Sequence, residues 1–202
     1  RQLYMPKSLD ELNQVLAANP QATIWAGGTD LGLSVTQYLV DHEVIIQLSA
    51  VEALKSWSLF DAKSDPSNED SNNEQAPSQI LILGAGMSYQ QMLPVLKQYF
   101  PSFAQVFERI ASPQIRNMGT IGGNAANGDP GNDMPALMQC LGATYELTGP
   151  KGVRNVAARD YYQGAYFTAL ETGEILTAIR IPVPTAGHGY AYEKLKRKIG
   201  DY

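Results

Sequence analysis

The sequence predicts an α+β fold in two lobes, and three observations carry that prediction. A capped helical pattern and two short apolar runs make a small β-α-β-like unit within residues 1–55. A strongly polar stretch, 61–79, then interrupts the chain. Beyond it, helical and strand-like patterns alternate without an internal repeat, which gives a larger mixed lobe. The expected divisions are 1–55, then 56–186 with the polar insertion inside it, then 187–202 as the start of a further domain.

In the first lobe, Ser8 and Glu11 have capping-box spacing, and Leu9, Leu12, Val15 and Leu16 follow at helical intervals. A helix over 8–18 is predicted, ending at Asn19-Pro20 because proline disfavours helical backbone at the residue before it. Ala22-Thr23-Ile24-Trp25 reads as a short buried strand and Val44-Ile45-Ile46-Gln47-Leu48 as another, with a helix over 31–38 between them. Residues 61–79 hold Asp61, Asp65, Glu69, Asp70 and Glu74 against one lysine, Lys63, and too few apolar groups to pack. A disordered hairpin tip or linker without chemistry is expected there.

The second lobe resumes with a strand over 80–86 that ends in a glycine turn, then helices around 89–99 and 102–110. A further helix over 134–141 is expected, with Asp133 as its cap, Pro135 in its first turn and Gly142 as its stop. Residues 143–148, 174–181 and 190–195 read as strands, separated by Gly149-Pro150-Lys151-Gly152 and by 182–189.

Two glycine-centred segments hold most of the functional information. One is Ala26-Gly27-Gly28-Thr29-Asp30-Leu31-Gly32; the other is Asn117-Met118-Gly119-Thr120-Ile121-Gly122-Gly123-Asn124, running on to Asp133. Glycine lets backbone N–H groups approach a ligand closely and converge on one point, which is what a diphosphate needs. Thr29, Thr120 and Asn124 add short side-chain donors. Neither segment ends in Gly-Lys-Ser/Thr or has G-x-G-x-x-G spacing after a strand, so a P-loop ATPase and a Rossmann dehydrogenase are both poor readings. Each segment alone also fits an ordinary turn. Together they suggest a nucleotide cofactor held between two loops.

Composition excludes other classes. The formal charge is −5, but 61–79 alone carries −4, which leaves −1 for the rest and no acidic face to explain. No basic stripe points to nucleic acid. No apolar run approaches the roughly 20 residues of a membrane span, and the first residues lack signal-peptide organisation, so a cytoplasmic location is expected. The single cysteine, Cys140, sits in an apolar run and reads as a buried small hydrophobe that cannot by itself supply the thiolates of an iron–sulfur cluster. His42 and His188 have no ligand-spaced companions and read as surface or loop residues, and no metal site is expected.

With these residues in view, the chain resembles the FAD-binding medium subunit of the molybdenum hydroxylases, the carbon monoxide dehydrogenase and xanthine dehydrogenase flavoprotein family. The resemblance rests on Ala26-Gly27-Gly28-Thr29-Asp30-Leu31, on 116–124, on Gly128-Asp129-Pro130 with Asp133 and Pro135, and on Tyr192-Glu193-Lys194-Leu195-Lys196-Arg197. It implies the FAD-binding PCMH-type fold, also called vanillyl-alcohol-oxidase-like. By position, Ile24, Trp25, Ala26, Gly27, Gly28, Thr29, Asp30 and Leu31, with Thr120, Ile121, Gly122, Gly123 and Asn124, would wrap the FAD diphosphate and ribityl chain. Ile110 would be an apolar neighbour, Asp133 would accept from cofactor hydroxyls, Leu176 would pack on the flavin side and Lys194 would bring positive charge near it.

The resemblance also implies partners: a molybdopterin-binding large subunit that hydroxylates substrate, and a small subunit whose [2Fe-2S] clusters pass electrons to the flavin. The chain would be an oxidoreductase subunit delivering them to an external acceptor, with no residue of its own acting as nucleophile or general base. Tyr161, Tyr162 and Tyr166 would stack on the flavin or else belong to the core or an interface. The family continues into a C-terminal α+β domain after a segment like 196–202, so a truncated chain is expected here. The polar insertion is longer than the family's and has no cysteine, so it does not resemble the extra iron–sulfur loop of some relatives. The alternative reading is a non-redox nucleotide-binding or assembly module that docks the other subunits.

Overall fold

In the computed structural model, residues 1–62, 77–185 and 187–195 are described. The first lobe is built on a parallel three-stranded sheet. Strands β1 (Gln2–Tyr4), β2 (Thr23–Trp25) and β3 (Val44–Gln47) lie in the order β1-β3-β2, with helix α1 (Leu9–Ala18) and helix α2 (Leu31–Thr36) in the connections. Helix α1 starts as its spacing predicts: the Ser8 hydroxyl accepts from the Glu11 N–H at 3.1 Å, and the Glu11 carboxylate accepts from the Lys7 N–H at 2.8 Å. Its inner face buries Leu12 and Leu16 against Ile46, Leu48, Val51 and Leu54. Burying each of those two leucines stabilises by about 2 kcal/mol.

The second lobe is an antiparallel sheet with helices on it. Strands β4 (Trp57–Asp61) and β5 (Gln79–Gly84) pair as a hairpin with Asp61 opposite Gln79, so the polar insertion joins two hairpin strands; its residues 63–76 lie outside those described. Helices α3 (Tyr89–Tyr99), α4 (Pro101–Glu108), α5 (Pro113–Met118), α6 (Ile121–Asn127) and α7 (Asp133–Cys140) follow. The chain then forms strands β6 (Thr144–Gly149) and β7 (Gly152–Ala157), the short helix α8 (Ala158–Tyr161), the hairpin β8 (Tyr162–Gly164) and β9 (Phe167–Thr168), and strand β10 (Ile175–Pro182). The sheet order is β4-β5-β10-β6-β7. Leu81, Leu83, Met92, Phe103, Phe107, Tyr145 and Ile179 centre the larger core, whereas Ile175 of β10 joins the smaller one and ties the lobes together.

Four expectations need correction. Residues 190–195 form no strand: their alternation finds no ladder partner among the described residues, and side chains hold them instead, beginning with Tyr190 against Phe103 at 5.3 Å between ring centroids. Gly149-Pro150-Lys151-Gly152, expected between the strands 143–148 and 174–181, leads first into an unexpected strand and turns the β6–β7 hairpin, with Gly152 at φ 103° where an L side chain is strained. Asp133 is not the cap of α7; Asn132 occupies that position without a side-chain bond, and Asp133 is the first helical residue. Cys140 is exposed, because Met134, Leu137, Met138 and Leu141 define the buried face of α7 and Cys140 lies off it. His42 lies in a loop, as expected, and is half-buried there, held by Thr23 and Ser34.

Tyr161 and Tyr162 settle into the core reading; Tyr166 does not. The Tyr145 and Tyr162 hydroxyls are 2.6 Å apart, and Tyr161 packs on both rings with centroids 4.3 and 5.0 Å away. Burial, offset in part by the bond to Tyr145, pushes the Tyr162 hydroxyl up to about 12. Tyr166 is exposed, with φ 56°.

The far edge of the sheet is pinned by a bidentate pair: Arg154 Nε and Nη2 donate to the two Glu174 oxygens, each at 2.8 Å. The Arg154 bond, assisted by the Glu171 N–H, holds the Glu174 carboxyl below its ordinary value despite partial burial. A carboxyl lowered on folding contributes stability above its unfolded pKa and loses it as pH falls through the folded value. The Glu174→Gln variant is therefore expected to lose less of its thermal midpoint than wild type as pH drops below about 4.5. Parallel midpoint curves for the two proteins would contradict that linkage.

Candidate functional site

The two glycine segments predicted to share a ligand are in direct contact. Strand β2 delivers the chain to Ala26, which turns through Gly28 at φ 69° before α2 begins. A Cβ on Gly27 would lie 1.9 Å from the Met118 carbonyl oxygen and 3.1 Å from Gly119 Cα, so backbone passes against backbone there. A Cβ on Gly119 would meet Thr29 Oγ1 at 3.3 Å and Tyr89 Cε2 at 3.4 Å, and one on Gly123 would come 3.9 Å from Ala26 Cβ. Gly28 rests on the Trp25 indole and Gly122 on Ala85, each with room for hydrogen only. Close approach, more than backbone freedom, is what these glycines supply.

The segments differ in their available donors. From Ile121 onward the second is helix α6, not open loop, and its first amides are already engaged. Ile121 N–H donates to Met87 O at 3.0 Å, Gly122 N–H to Ala85 O at 2.8 Å, Gly123 N–H to the Thr120 hydroxyl at 3.1 Å and Asn124 N–H to Thr120 O at 3.0 Å. The expectation of free backbone donors there is thus corrected. In the first segment, the amides of Gly27, Gly28, Thr29 and Asp30 find no acceptor among the described residues. What α6 offers is side chains: the Thr120 hydroxyl, and the buried Asn124 Oδ1, which has no hydrogen-bond partner among the described residues. A buried acceptor left unmatched costs about 1–3 kcal/mol, so it calls for a donor from elsewhere.

Asp133 and Lys194, also expected at the site, are brought together. Asp133 Oδ1 accepts from Lys194 Nζ at 2.9 Å and from the Tyr192 hydroxyl at 2.6 Å. Sequence reasoning missed Tyr192 as a site residue, although its spacing of two from Lys194 puts both on one side of an extended segment. Burial and the bond to Asp133 raise the Tyr192 hydroxyl well above its ordinary value, so it acts as a donor. Tyr89 was missed too: its hydroxyl is buried without a partner among the described residues and is raised chiefly by burial, then by Tyr162 and Asp133.

The remaining expected residues have these surroundings. Ile24 is half-buried against the smaller core, Asp30 is exposed, and the Leu31 carbonyl accepts from the Ser34 hydroxyl at 2.6 Å. Ile110 is half-buried against the larger core, its carbonyl taking an Arg116 Nη1 donor at 2.8 Å. Leu176 is buried opposite Leu147. Its neighbour Thr177 accepts the Ala85 N–H, and Ala85 is the residue on which Gly122 rests. No helix among the described residues is long and apolar enough to cross a membrane.

A small parallel lobe and a larger antiparallel lobe, meeting at two glycine segments, define the PCMH-type cofactor-binding fold. The chain belongs to the family described as FAD binding domain in molybdopterin dehydrogenase, which matches residues 1–184. It is 48% identical over 202 residues to the carbon monoxide dehydrogenase medium chain of Hydrogenophaga pseudoflava, a match covering 98% of this chain and 64% of that one. Over 93 residues it is 88% identical to the medium chain of the same enzyme from Afipia carboxidovorans, 46% of this chain and 32% of the relative. The crystal structure of the cyanide-inactivated Cu,Mo-CO dehydrogenase matches with a TM-score of 0.83 at 48% identity, covering all of this chain and 65% of that one. This chain therefore spans less than two thirds of the length of these relatives.

The residues present fit FAD. Amides in the first segment that find no acceptor among the described residues suit a diphosphate, a buried acceptor at Asn124 without a partner among them suits a hydroxyl-rich chain, and glycines leave room where any larger residue would close the approach.

Proposed function

We propose that this chain is the FAD-holding part of an electron-transfer subunit in a molybdenum hydroxylase complex of the carbon monoxide dehydrogenase kind, acting in the cytoplasm. Electrons released at a molybdopterin-binding large subunit would reach it through [2Fe-2S] clusters on a small subunit and leave to an external acceptor. Bound FAD supplies the redox chemistry, taking up and releasing electrons. The chain's own residues bind and orient. The amides of Gly27, Gly28, Thr29 and Asp30 meet the diphosphate; Thr120 and Asn124 meet hydroxyls; Ile110 and Leu176 give apolar support. Asp133 accepts from cofactor hydroxyls and fixes the Lys194 ammonium, whose charge lies beside it.

The observation that supports this reading most is the contact of Gly27 with Met118 and Gly119, which joins a loop of free donors to the helix bearing the unmatched Asn124 acceptor. The test is to mix the purified chain with FAD, remove excess, and record its visible absorbance before and after dithionite. Near-stoichiometric flavin, bleached by the reductant, is expected. A folded chain that takes up no flavin at saturating FAD would overturn the reading.

A further inference from the structure

We propose that His42 is a positioning residue for the FAD-binding loop, buckling the strand that enters the loop to the helix that leaves it. The proposal rests on the FAD reading of the first glycine segment. His42 lies between α2 and β3, and both of its ring nitrogens are used. Nδ1 is 3.0 Å from Thr23 Oγ1 on β2, and Nε2 is 2.8 Å from Ser34 Oγ on α2.

Hydroxyl bookkeeping assigns the protons. Ser34 has one proton and donates it to the Leu31 carbonyl at 2.6 Å, so toward His42 it only accepts. Nε2 must therefore carry hydrogen. In the neutral ring Nδ1 is then an acceptor, which the Thr23 hydroxyl satisfies. A continuous chain runs from Thr23 through His42 and Ser34 to Leu31, and each hydroxyl donates once.

The same ring touches the loop's floor. It meets Trp25 edge-on, with centroids 6.2 Å apart and planes at 83°, and Gly28 lies directly on that indole. Its connections thus bracket residues 25–31 from strand, floor and helix.

Helix α2 needs such a tie. It has six residues and buries none of them, and a helix so short gains little from its own hydrogen bonds. The smaller core runs through Leu12, Leu16, Ile46 and Leu54, without His42. Losing the buckle therefore frees α2 and the loop's donors while leaving the lobe folded. The effect falls on ligand affinity, because donors that must be ordered at the moment of binding bind more weakly than donors already held.

Two variants separate this role from space filling. His42→Leu fills the volume and bonds to nothing; His42→Gln keeps an N–H donor for Ser34. Flavin fluorescence titration is expected to give about a tenfold weaker FAD dissociation constant for His42→Leu, and one within about threefold of wild type for His42→Gln. Thermal midpoints of all three apo proteins should agree closely. Amide hydrogen exchange over 31–36 in the apo protein should accelerate in His42→Leu only, and nitrogen NMR of the wild-type ring should show a protonated Nε2.

FAD affinity unchanged in His42→Leu overturns the proposal, as does affinity that merely follows a fall in midpoint in both variants. If wild type takes up no flavin, the cofactor reading fails, and exchange over 31–36 then decides the buckle by itself: no acceleration in His42→Leu overturns it.

Discussion

Replacing Gly27 by alanine is expected to keep the two glycine segments from closing on each other, with loss of flavin uptake and about 3 kcal/mol of stability. The new Cβ would stand 1.9 Å from the Met118 carbonyl oxygen and 2.7 Å from its carbon. Both obstacles are backbone, held by α5 on one side and by the Thr120 cap of α6 on the other, so no flexible side chain can give way. The matched control is Gly32→Ala, where a Cβ meets nothing within 4 Å and the residue lies inside α2. There alanine is expected to be neutral or to stabilise by up to about 1 kcal/mol, since it loses less backbone entropy in a helix than glycine. Urea midpoints and FAD uptake of the two variants measure both effects. Wild-type behaviour in Gly27→Ala would mean that the segments do not meet.

The second large effect is expected at Asp133. Its Oδ1 is shared by Lys194 Nζ and the Tyr192 hydroxyl, and the Asp133 and Lys194 side chains are only 13% and 20% exposed. Asp133→Ala strands a largely desolvated ammonium and a hydroxyl together, which costs about 1–3 kcal/mol. Because the segment 187–195 has no strand pairing among the described residues, the loss should appear as faster hydrogen exchange there, with FAD affinity falling alongside. Asp133→Asn keeps an acceptor for Tyr192 but removes the charge facing Lys194, so it should fall between wild type and alanine. Unchanged exchange over 187–195 in Asp133→Ala would show that Tyr190 packed on Phe103 is sufficient to hold the segment.

Where local pattern and tertiary demand coincide, the fold was legible. The Ser8 cap with Leu12 and Leu16 behind it gave α1 almost to the residue, and the apolar runs at 22–25 and 44–48 gave β2 and β3. Strand β7 was missed because it is a half-polar edge, with Val153 62% exposed, and such an edge has no apolar signature. Helix α6 was missed because glycine and asparagine are weak helix formers. It forms because the carbonyls of Met87 and Ala85 take its first amides, and that help comes from a distant part of the chain.

The candidate site divides in the same way. Its residues were named from motif resemblance, yet their roles shift in three dimensions: the second segment offers side chains instead of amides, and Asp133 fixes Lys194 and Tyr192 instead of capping α7.

By itself the sequence determined the family, the two-lobed α+β character and the pair of glycine segments, because each is written in contiguous residues whose spacing and backbone freedom carry meaning locally. The tertiary structure alone decided which amides stay free, that Gly27 lies against Met118, that Tyr192 and Lys194 converge on Asp133, and that His42 is enclosed between strand and helix. Each of these is a hydrogen bond or a close approach between groups far apart in the chain, and such pairings are set by how the lobes pack, which no local spacing encodes.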